Sequence, residues 1–287
     1  MNRQTKILFF LSFLLVFTPS LTFAQLEKKK NFKNFRKASL GSSNVAVIDA
    51  NSGELLFGKN ENEEKPVASI TKIVGAYVYL NENPNLKRTV KMEAGDEVGG
   101  GRLKLPVGTS AKAKDFLCSS LIGSANNSAT ALIRLSGLSK NDFTRKMEEL
   151  AGQAGASSAN FVDSSGISPS NRTSAKDLAL IGKKVLENKT ICEIGGKKKY
   201  SFRINDGRGT KNIVHTSSIV STKNKNFDVL FAKTGYLPEV GNNLIVKLES
   251  KQNRKNDVII VTMGARSKTV SASDVTKLGN WVMGNYK

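Results

Sequence analysis

Three short motifs combine hydroxyl, amine and amide side chains at spacings that could support nucleophilic catalysis by serine. A serine attacks a carbonyl carbon once a base removes its proton, and a lysine can be that base when its amine is uncharged. The motifs are S-x-x-K at Ser69 and Lys72, S-x-N at Ser124 and Asn126, and K-T-G at Lys233, Thr234 and Gly235.

The first motif opens an apolar segment, PVASITKIVGAY, at residues 66–77. Residues three apart are neighbours on a helix, so Ser69 and Lys72 would share one face. Burial lowers the pKa of a lysine, and the residues around Lys72 favour burial. We place Ser69 in the first helical turn, where backbone N–H groups stabilise an oxyanion. Alone, this spacing is common on protein surfaces, so it indicates catalysis only together with the other motifs.

The second and third motifs are distinguished by their surroundings. The S-x-N spacing also occurs at Ser42 and Ser158, but Ser124 lies where two apolar helical stretches meet. The K-T-G motif, residues 233–235, ends a strand-like segment. Its lysine and hydroxyl could bind an anionic substrate group, and its glycine would allow close backbone approach.

The elements around the motifs predict an antiparallel sheet flanked by helices. Strand-like segments joined by short connections favour antiparallel pairing, and the first hairpin should join the same sheet. We therefore predict an α/β (α+β) fold with an inserted helical subdomain. The predicted elements are a hairpin at 45–57, a helix at 70–80, a helical block at 82–199, strands at 227–236, 242–250 and 257–265, and a helix at 271–286 that buries Val275, Leu278, Trp281 and Val282 on one face.

The first 24 residues predict a secretory signal peptide cleaved after Ala24, with an uncleaved membrane anchor as the alternative. Arg3 and Lys6 precede an apolar run that is too short to span a bilayer comfortably, and a small-residue site ends at Ala24. We expect export to a periplasmic or extracellular location; a bacterial inner membrane as the one crossed, and association with the cell wall, are expected only from the family resemblance described below. The predicted division is a signal peptide at 1–24, a basic segment at 25–40 and a catalytic domain at 41–287, with an α/β part at 41–81 and 200–287 and a helical part at 82–199.

The composition limits the partners. A net charge of +20 in 287 residues suits anionic envelope polymers or a membrane surface, and it also suits a merely lysine-rich solvated surface. We predict no specific nucleic-acid partner.

Cys118 and Cys192 could form a disulfide in an oxidising compartment, and the sequence leaves this pairing open. With His215 as the sole histidine, we predict no metal site.

Taken in order, the three motifs reproduce the motif set of the penicillin-recognising serine enzymes. The chain more closely resembles the D-Ala-D-Ala carboxypeptidase and endopeptidase family of low-molecular-mass penicillin-binding proteins. The resemblance runs from about residue 43 to 265. It is carried by VIDANSGELLFGKNENEEKPVASITKI, LCSSLIGSANNSATALI, AGASSANFVDSSGISPSNRTSAKDLALIGK and FAKTGY.

This resemblance implies a β-lactamase/transpeptidase-like fold, peptidoglycan stem peptides as substrates, reaction through an acyl-enzyme, β-lactam antibiotics as inhibitors, and no metal or cofactor. If Lys72 and Lys233 face one pocket, each cation makes the other easier to deprotonate. The implied roles are Ser69 as nucleophile, Lys72 as general base, Ser124 as proton relay to the leaving amine, Asn126 as binder of the substrate backbone, Lys233 and Thr234 with Gly235 as the carboxylate site, and the backbone N–H groups of Ser69 and Tyr236 as the oxyanion hole.

Two other functions compete with this interpretation. A serine β-lactamase of class A resembles the chain in motif order, but it carries S-D-N where Ala125 stands here, and a loop glutamate that activates water. The corresponding loop, NFVDSSGISPSN, offers Asp163 and no glutamate. We interpret Asp163 as a turn residue, with activation of the deacylating water as the alternative. A catalytically silent envelope-binding module would use the basic surface alone, and salt would then abolish its binding.

The chain also departs from the family. Many members append a β-rich domain and an amphipathic anchor, whereas we expect a soluble, single catalytic module. Ser217 and Ser218 stand where the family often has an asparagine, which affects the pocket wall. The lysine–serine chemistry leaves His215 no catalytic task, so we interpret it as structural. The sequence does not separate carboxypeptidase from endopeptidase.

Overall fold

The structure, a computed structural model, describes residues 35–36, 39–204, 207 and 209–285. These residues belong to a unit that begins at Phe35. The predicted signal peptide and most of the basic segment at 25–40 lie outside the described residues, so both stay predictions.

Eleven strands lie within the described residues, and five of them form the central sheet. The bounds are β1 Asn44–Asp49, β2 Leu55–Lys59, β3 Glu64–Pro66, β4 Thr89–Lys91, β5 Ser110–Lys112, β6 Arg172–Ser174, β7 Lys199–Arg203, β8 Thr210–Val214, β9 Phe227–Leu237, β10 Gly241–Ser250 and β11 Asp257–Ala265. The central sheet has the order β2-β1-β11-β10-β9, and all its pairs are antiparallel. The pairing of β1 with β11 joins the first hairpin to the C-terminal strands, as predicted.

Helices cover both faces of this sheet. Seven α-helices lie within the described residues: α1 Thr71–Asn81, α2 Ala113–Ile122, α3 Asn126–Ser136, α4 Lys140–Gln153, α5 Ala175–Val185, α6 Lys189–Gly195 and α7 Lys268–Asn285. A Cβ added at Gly182 of α5 would lie 2.5 Å from Ile245 Cδ1, and one added at Gly279 of α7 would lie 2.8 Å from Leu248 Cδ1. Ile245 and Leu248 point to opposite faces of β10, so α5 and α7 enclose the sheet. Because both faces of β1 are buried, its sequence, NVAVID, is a nearly continuous apolar run.

The predicted helical block contains α2 to α6. The two serines predicted to cap helices in this block do form N-cap hydrogen bonds. Ser139 accepts a hydrogen bond from the Asp142 N–H at 3.1 Å, and Ser174 accepts one from Asp177 at 3.1 Å. The sequence did not predict the short strand pairs β4–β5 and β3–β6, or the hairpin β7–β8. These strands are only three to five residues long, which is too short for a clear alternating pattern.

The last helix differs from its prediction at one position. Val275, Leu278 and Val282 are buried as predicted, whereas Trp281 is half-buried, at the edge of the buried face of the helix. Its ring packs beside Phe57, with ring centroids 5.7 Å apart. No helix of the described chain has both the length and the apolar composition that crossing a membrane requires.

Candidate active site

Ser69 lies in a short 3-10 turn, Ala68–Ile70, that leads directly into α1. Ser69 therefore stands in the first helical turn, as predicted, and this turn is a 3-10 turn that continues into the α-helix. Ala68 adopts a left-handed backbone with φ of +55°, which a residue with a side chain rarely does. The Thr71 hydroxyl donates to the Ala68 carbonyl at 2.8 Å and holds this turn. Strained backbone next to a reactive side chain is typical of functional sites.

The amine of Lys72 is buried beside Ser69. Its Nζ lies 2.8 Å from Ser69 Oγ and 2.7 Å from Asn126 Oδ1, and it also contacts the main-chain carbonyl of Ser165. Burial lowers the pKa of Lys72 to about 7, against an opposing effect of the Asp163 carboxylate. A large fraction of this lysine is therefore uncharged near neutral pH.

Burial favours a neutral Lys72 amine, and the partners of this amine leave it able to accept the Ser69 proton. The Asn126 side chain donates from Nδ2 to the Gly99 carbonyl at 2.7 Å, so its Oδ1 faces Lys72 as an acceptor. The Ser165 carbonyl also only accepts. These two acceptors occupy both N–H bonds of a neutral amine, which leaves its lone pair for the Ser69 hydroxyl.

A tight turn presents the Ser165 carbonyl to Lys72. The Asp163 carboxylate accepts hydrogen bonds from the N–H groups of Ser165 at 2.7 Å, Gly166 at 2.6 Å and Ser168 at 3.1 Å, and from Asn171 Nδ2 at 2.7 Å. Burial alone would raise the pKa of Asp163, but these hydrogen bonds outweigh it and lower the pKa. Asp163 therefore organises the turn, as the sequence predicted.

Gly166 is the position where this turn tolerates no side chain. Its φ is +74°, and an added Cβ would overlap the Ala68 carbonyl oxygen. We expect Gly166→Ala to lower the free energy of unfolding by roughly 2–5 kcal/mol, combining a left-handed backbone penalty of about 1–2 with overpacking of about 1–3. Urea-induced unfolding measures this loss.

Gly155→Ala is the matched control, because Gly155 has a φ of +73° and no atom within 4 Å of an added Cβ. Only the backbone penalty of about 1–2 kcal/mol applies there. Equal losses in the two variants would show that the contact with Ala68 contributes nothing.

Ser124 and Lys233 form a second serine–lysine pair. Ser124 connects α2 to α3 with a left-handed φ of +59°. Lys233 of β9 is fully buried and donates from Nζ to Ser124 Oγ at 2.8 Å and to the Thr234 carbonyl at 2.7 Å. Burial, then the charges of Lys72 and Lys268, lower the pKa of Lys233 well below its ordinary value.

The three predicted motifs meet in one place. Lys72 of the first motif contacts Asn126 of the second, and Lys233 of the third contacts Ser124 of the second. The third also approaches the first, because a Cβ added at Gly235 would lie 3.2 Å from the Ser69 backbone nitrogen and 2.8 Å from the Val67 carbonyl oxygen. The glycine of K-T-G thus lets β9 pass close to the turn that carries Ser69.

The remaining predicted residues border this cluster. The Thr234 hydroxyl lies 2.6 Å from the Thr216 hydroxyl. Tyr236 follows Gly235 on β9, and its side chain is 58% exposed. The oxyanion role of its N–H group stays a prediction, as does the contact of Asn126 with a substrate backbone. Within the protein, the Asn126 amide positions Lys72.

His215 is a neutral structural residue. Its Nδ1 accepts a hydrogen bond from the Ser217 N–H at 2.9 Å, so Nε2 carries the proton and donates to the Ala232 carbonyl at 3.1 Å. Burial and the charge of Lys233 lower the pKa of His215 to about 4. This agrees with the prediction that the histidine is not an acid or base in catalysis.

The cysteines are not paired. Cys118 and Cys192 are both free thiols. Burial raises the pKa of Cys118 to about 11, so this thiol stays protonated and inert. Across the described ranges, no group of three or more histidine, cysteine, aspartate or glutamate side chains could hold a metal ion.

Three features of the site were missed by sequence reasoning. These are the Ser165 carbonyl on Lys72, the left-handed backbone at Ala68 and Ser124, and the Thr216 hydroxyl beside Thr234. The only available signal was the D-S-S-G turn at residues 163–166, which indicated a tight turn without showing what it contacts.

Residues 31–267 match the sequence profile of the D-alanyl-D-alanine carboxypeptidase family. A D-alanyl-D-alanine endopeptidase of Haemophilus influenzae is 32% identical over 82% of this chain and 80% of its own length. A D-alanyl-D-alanine carboxypeptidase of Bacillus subtilis is 25% identical over 100% of this chain and 72% of its own length. Relatives of both activities thus resemble the chain.

Solved structures show the same fold. A penicillin-binding protein of Listeria monocytogenes, crystallised in its cefotaxime-bound form, superimposes with a TM-score of 0.73. The match covers 88% of this chain and 99% of that chain at 24% sequence identity. The predicted antiparallel sheet with flanking helices and a transpeptidase-like fold is confirmed.

Proposed function

The chain belongs to the D-alanyl-D-alanine carboxypeptidase family, and we propose that the cluster around Ser69 carries out its chemistry. The protein is a serine-type D-Ala-D-Ala peptidase that acts on peptidoglycan stem peptides and binds β-lactams. The observation that supports the proposed site is the contact between its three motifs, at 2.7 Å from Lys72 to Asn126 and 2.8 Å from Lys233 to Ser124.

The first half-reaction makes an acyl-enzyme. Ser69 Oγ attacks the carbonyl carbon of the penultimate D-alanine while neutral Lys72 takes the hydroxyl proton. The negative carbonyl oxygen of the intermediate binds the N–H groups of Ser69 and Tyr236. The C–N bond then breaks, and the proton held by Lys72 passes to the leaving amine through the hydroxyl of Ser124. The peptide remains esterified to Ser69.

The second half-reaction releases the peptide. Lys72, neutral again, takes a proton from the water that attacks the ester carbon. The bond from this carbon to Ser69 Oγ then breaks, and Lys72 returns the proton to Ser69 Oγ. Asp163 is poorly suited to this task, because donors from Ser165, Gly166 and Asn171 already occupy its carboxylate. This supports a peptidase that holds a β-lactam as a long-lived adduct over a β-lactamase.

Lys233 and Thr234 bind the terminal carboxylate of the substrate. A carboxylate beside Lys233 favours the charged ammonium form and opposes the effect of burial on its pKa. The Thr234 hydroxyl offers a hydrogen bond to the same group. Lys72 as the base and Lys233 as the cation are thus assigned opposite charge states.

The basic composition supports a place in the cell envelope. With a net charge of +20, the chain would associate with anionic wall polymers or a membrane surface. We further propose that residues 1–24 direct export to the periplasm or beyond. A single catalytic module at 41–287, divided into the α/β and helical parts, remains our proposed organisation.

Sacculus digestion and penicillin labelling test this function. We expect the purified protein to release alanine or to convert cross-linked muropeptide dimers to monomers, as mass spectrometry detects, and to retain a fluorescent penicillin covalently. Folded protein that does neither would refute the proposal and leave the silent envelope-binding module. Rapid turnover of a chromogenic cephalosporin would indicate a β-lactamase.

A further inference from the structure

A cavity of about 430 Å³ opens beyond Thr234, between the end of β8, β9 and the start of α7. Thr216 and Ser217 form part of its wall, and Lys198 and Lys268 also line it. Ser69 and Lys72 do not line this cavity, so it is an extension of the catalytic cluster on the Thr234 side.

The cavity lies on the side of the active site that the leaving group of the substrate would occupy. This step rests on the proposed function, in which Lys233 and Thr234 bind the carboxylate of the residue that leaves. The substrate then runs from Ser69, beside Gly235, to Thr234. Any further part of the leaving residue, such as a long side chain bonded to more peptide, enters the space beyond Thr234.

The volume exceeds what a carboxypeptidase requires. A carboxypeptidase releases a single alanine, whose side chain is one methyl group. A cavity of about 430 Å³ is several times larger than alanine, and it falls within the range of roughly 300–1,000 Å³ typical of pockets for drug-sized ligands. The size therefore suits a leaving group that continues into a peptide.

The charge of the lining suits an acidic occupant. Of the described residues around the cavity, none is an aspartate or glutamate, and hydroxyl and amide side chains form most of the wall. Lys198 and Lys268 are exposed, and in the described part of the chain their amines have neither an ion-pair nor a hydrogen-bond partner. Two unpaired cations in a concave site attract carboxylates.

We propose that this cavity receives a second, acidic stem peptide as the leaving group, so that the enzyme acts chiefly as a DD-endopeptidase on cross-links. Thr234 binds the carboxylate next to the scissile bond. Lys198 and Lys268 bind further carboxylates of the departing peptide. The stem peptide that remains on Ser69 lies on the opposite side, towards Asn126 and Tyr236.

Two variants separate this proposal from the general peptidase activity. Lys198→Glu reverses a charge of the cavity, and Ser218→Trp fills it from an exposed position on its rim. Lys268 is not mutated, because its charge also lowers the pKa of Lys233 and a substitution would therefore disturb the catalytic cluster. Purified muropeptide dimer and monomeric pentapeptide serve as substrates, and the readout is the ratio of their kcat/KM values.

For the wild type we expect kcat/KM to be at least tenfold higher for the dimer than for the pentapeptide. Each variant should lower this ratio at least fivefold. Lys255→Glu is the control, since Lys255 is exposed in the turn after β10, at the opposite end of the strand from the cavity. It should leave the ratio unchanged.

A wild type that prefers the pentapeptide, or variants that keep the wild-type ratio, would overturn the proposal. So would equal losses on both substrates. Fluorescent penicillin labelling in parallel reports on the proposed function by itself. Labelled protein with the wrong ratio refutes only the leaving-group site, whereas unlabelled wild-type protein refutes the peptidase chemistry.

Discussion

Ser69→Ala is expected to abolish covalent labelling by penicillin and all hydrolysis of stem peptides. The variant lacks the oxygen atom that forms the ester. Among the described residues, Ser69 supplies the only hydroxyl hydrogen-bonded to the Lys72 amine, with Nζ 2.8 Å from its Oγ. Intact-protein mass spectrometry after incubation with penicillin measures the adduct. The fold should remain, because the half-buried Ser69 side chain loses only one small polar group.

Ser43→Ala is a suitable control, because Ser43 is a half-buried serine just before β1 whose hydroxyl donates to Asn44 Oδ1 and the Met263 carbonyl, neither of which belongs to the three motifs. It should be labelled at the wild-type rate. Full labelling of Ser69→Ala would identify a different nucleophile and contradict the proposed site.

Lys72→Met is expected to lower the acylation rate of Ser69 by roughly 10²–10⁴-fold, the usual contribution of a general base. Methionine has a similar length but cannot accept a proton. Loss of the buried amine removes the desolvation cost that lowers its pKa to about 7, but it also leaves Asn126 Oδ1 and the Ser165 carbonyl without this donor. Because these effects oppose each other, we expect the free energy of unfolding to change by no more than about 1–3 kcal/mol. Single-turnover labelling kinetics and urea unfolding measure the two effects.

Lys72→Arg distinguishes a base from a mere cation. Arginine keeps a positive charge but does not release its proton at neutral pH, so it should be as slow as methionine. Near-normal labelling of either variant would show that Lys72 does not deprotonate Ser69.

Sequence reasoning identified the central sheet and the three motifs for identifiable physical reasons. β1, β10 and β11 are apolar because both faces are covered, and α1 shows helical periodicity from Ile70 to Leu80. The chemistry needs particular side chains at Ser69 and Lys72, and such residues are visible in a sequence.

Other parts left little trace in the sequence. The Ser165 carbonyl is a main-chain group, and any residue could supply it. The left-handed backbone at Ala68 is imposed by the surrounding turn and not by its own preference. Trp281 lies at the edge of an apolar stripe, where periodicity does not decide between burial and half-burial.

The pH dependence of the acylation rate tests most directly whether Lys72 is a neutral base. The amine is active when uncharged, so the rate constant for penicillin acylation should rise with pH and level off above an apparent pKa of about 7. Below this pKa the rate should fall by about tenfold per pH unit. A rate that stays constant between pH 5 and pH 9, or that falls as the pH rises through neutrality, would contradict the role of Lys72.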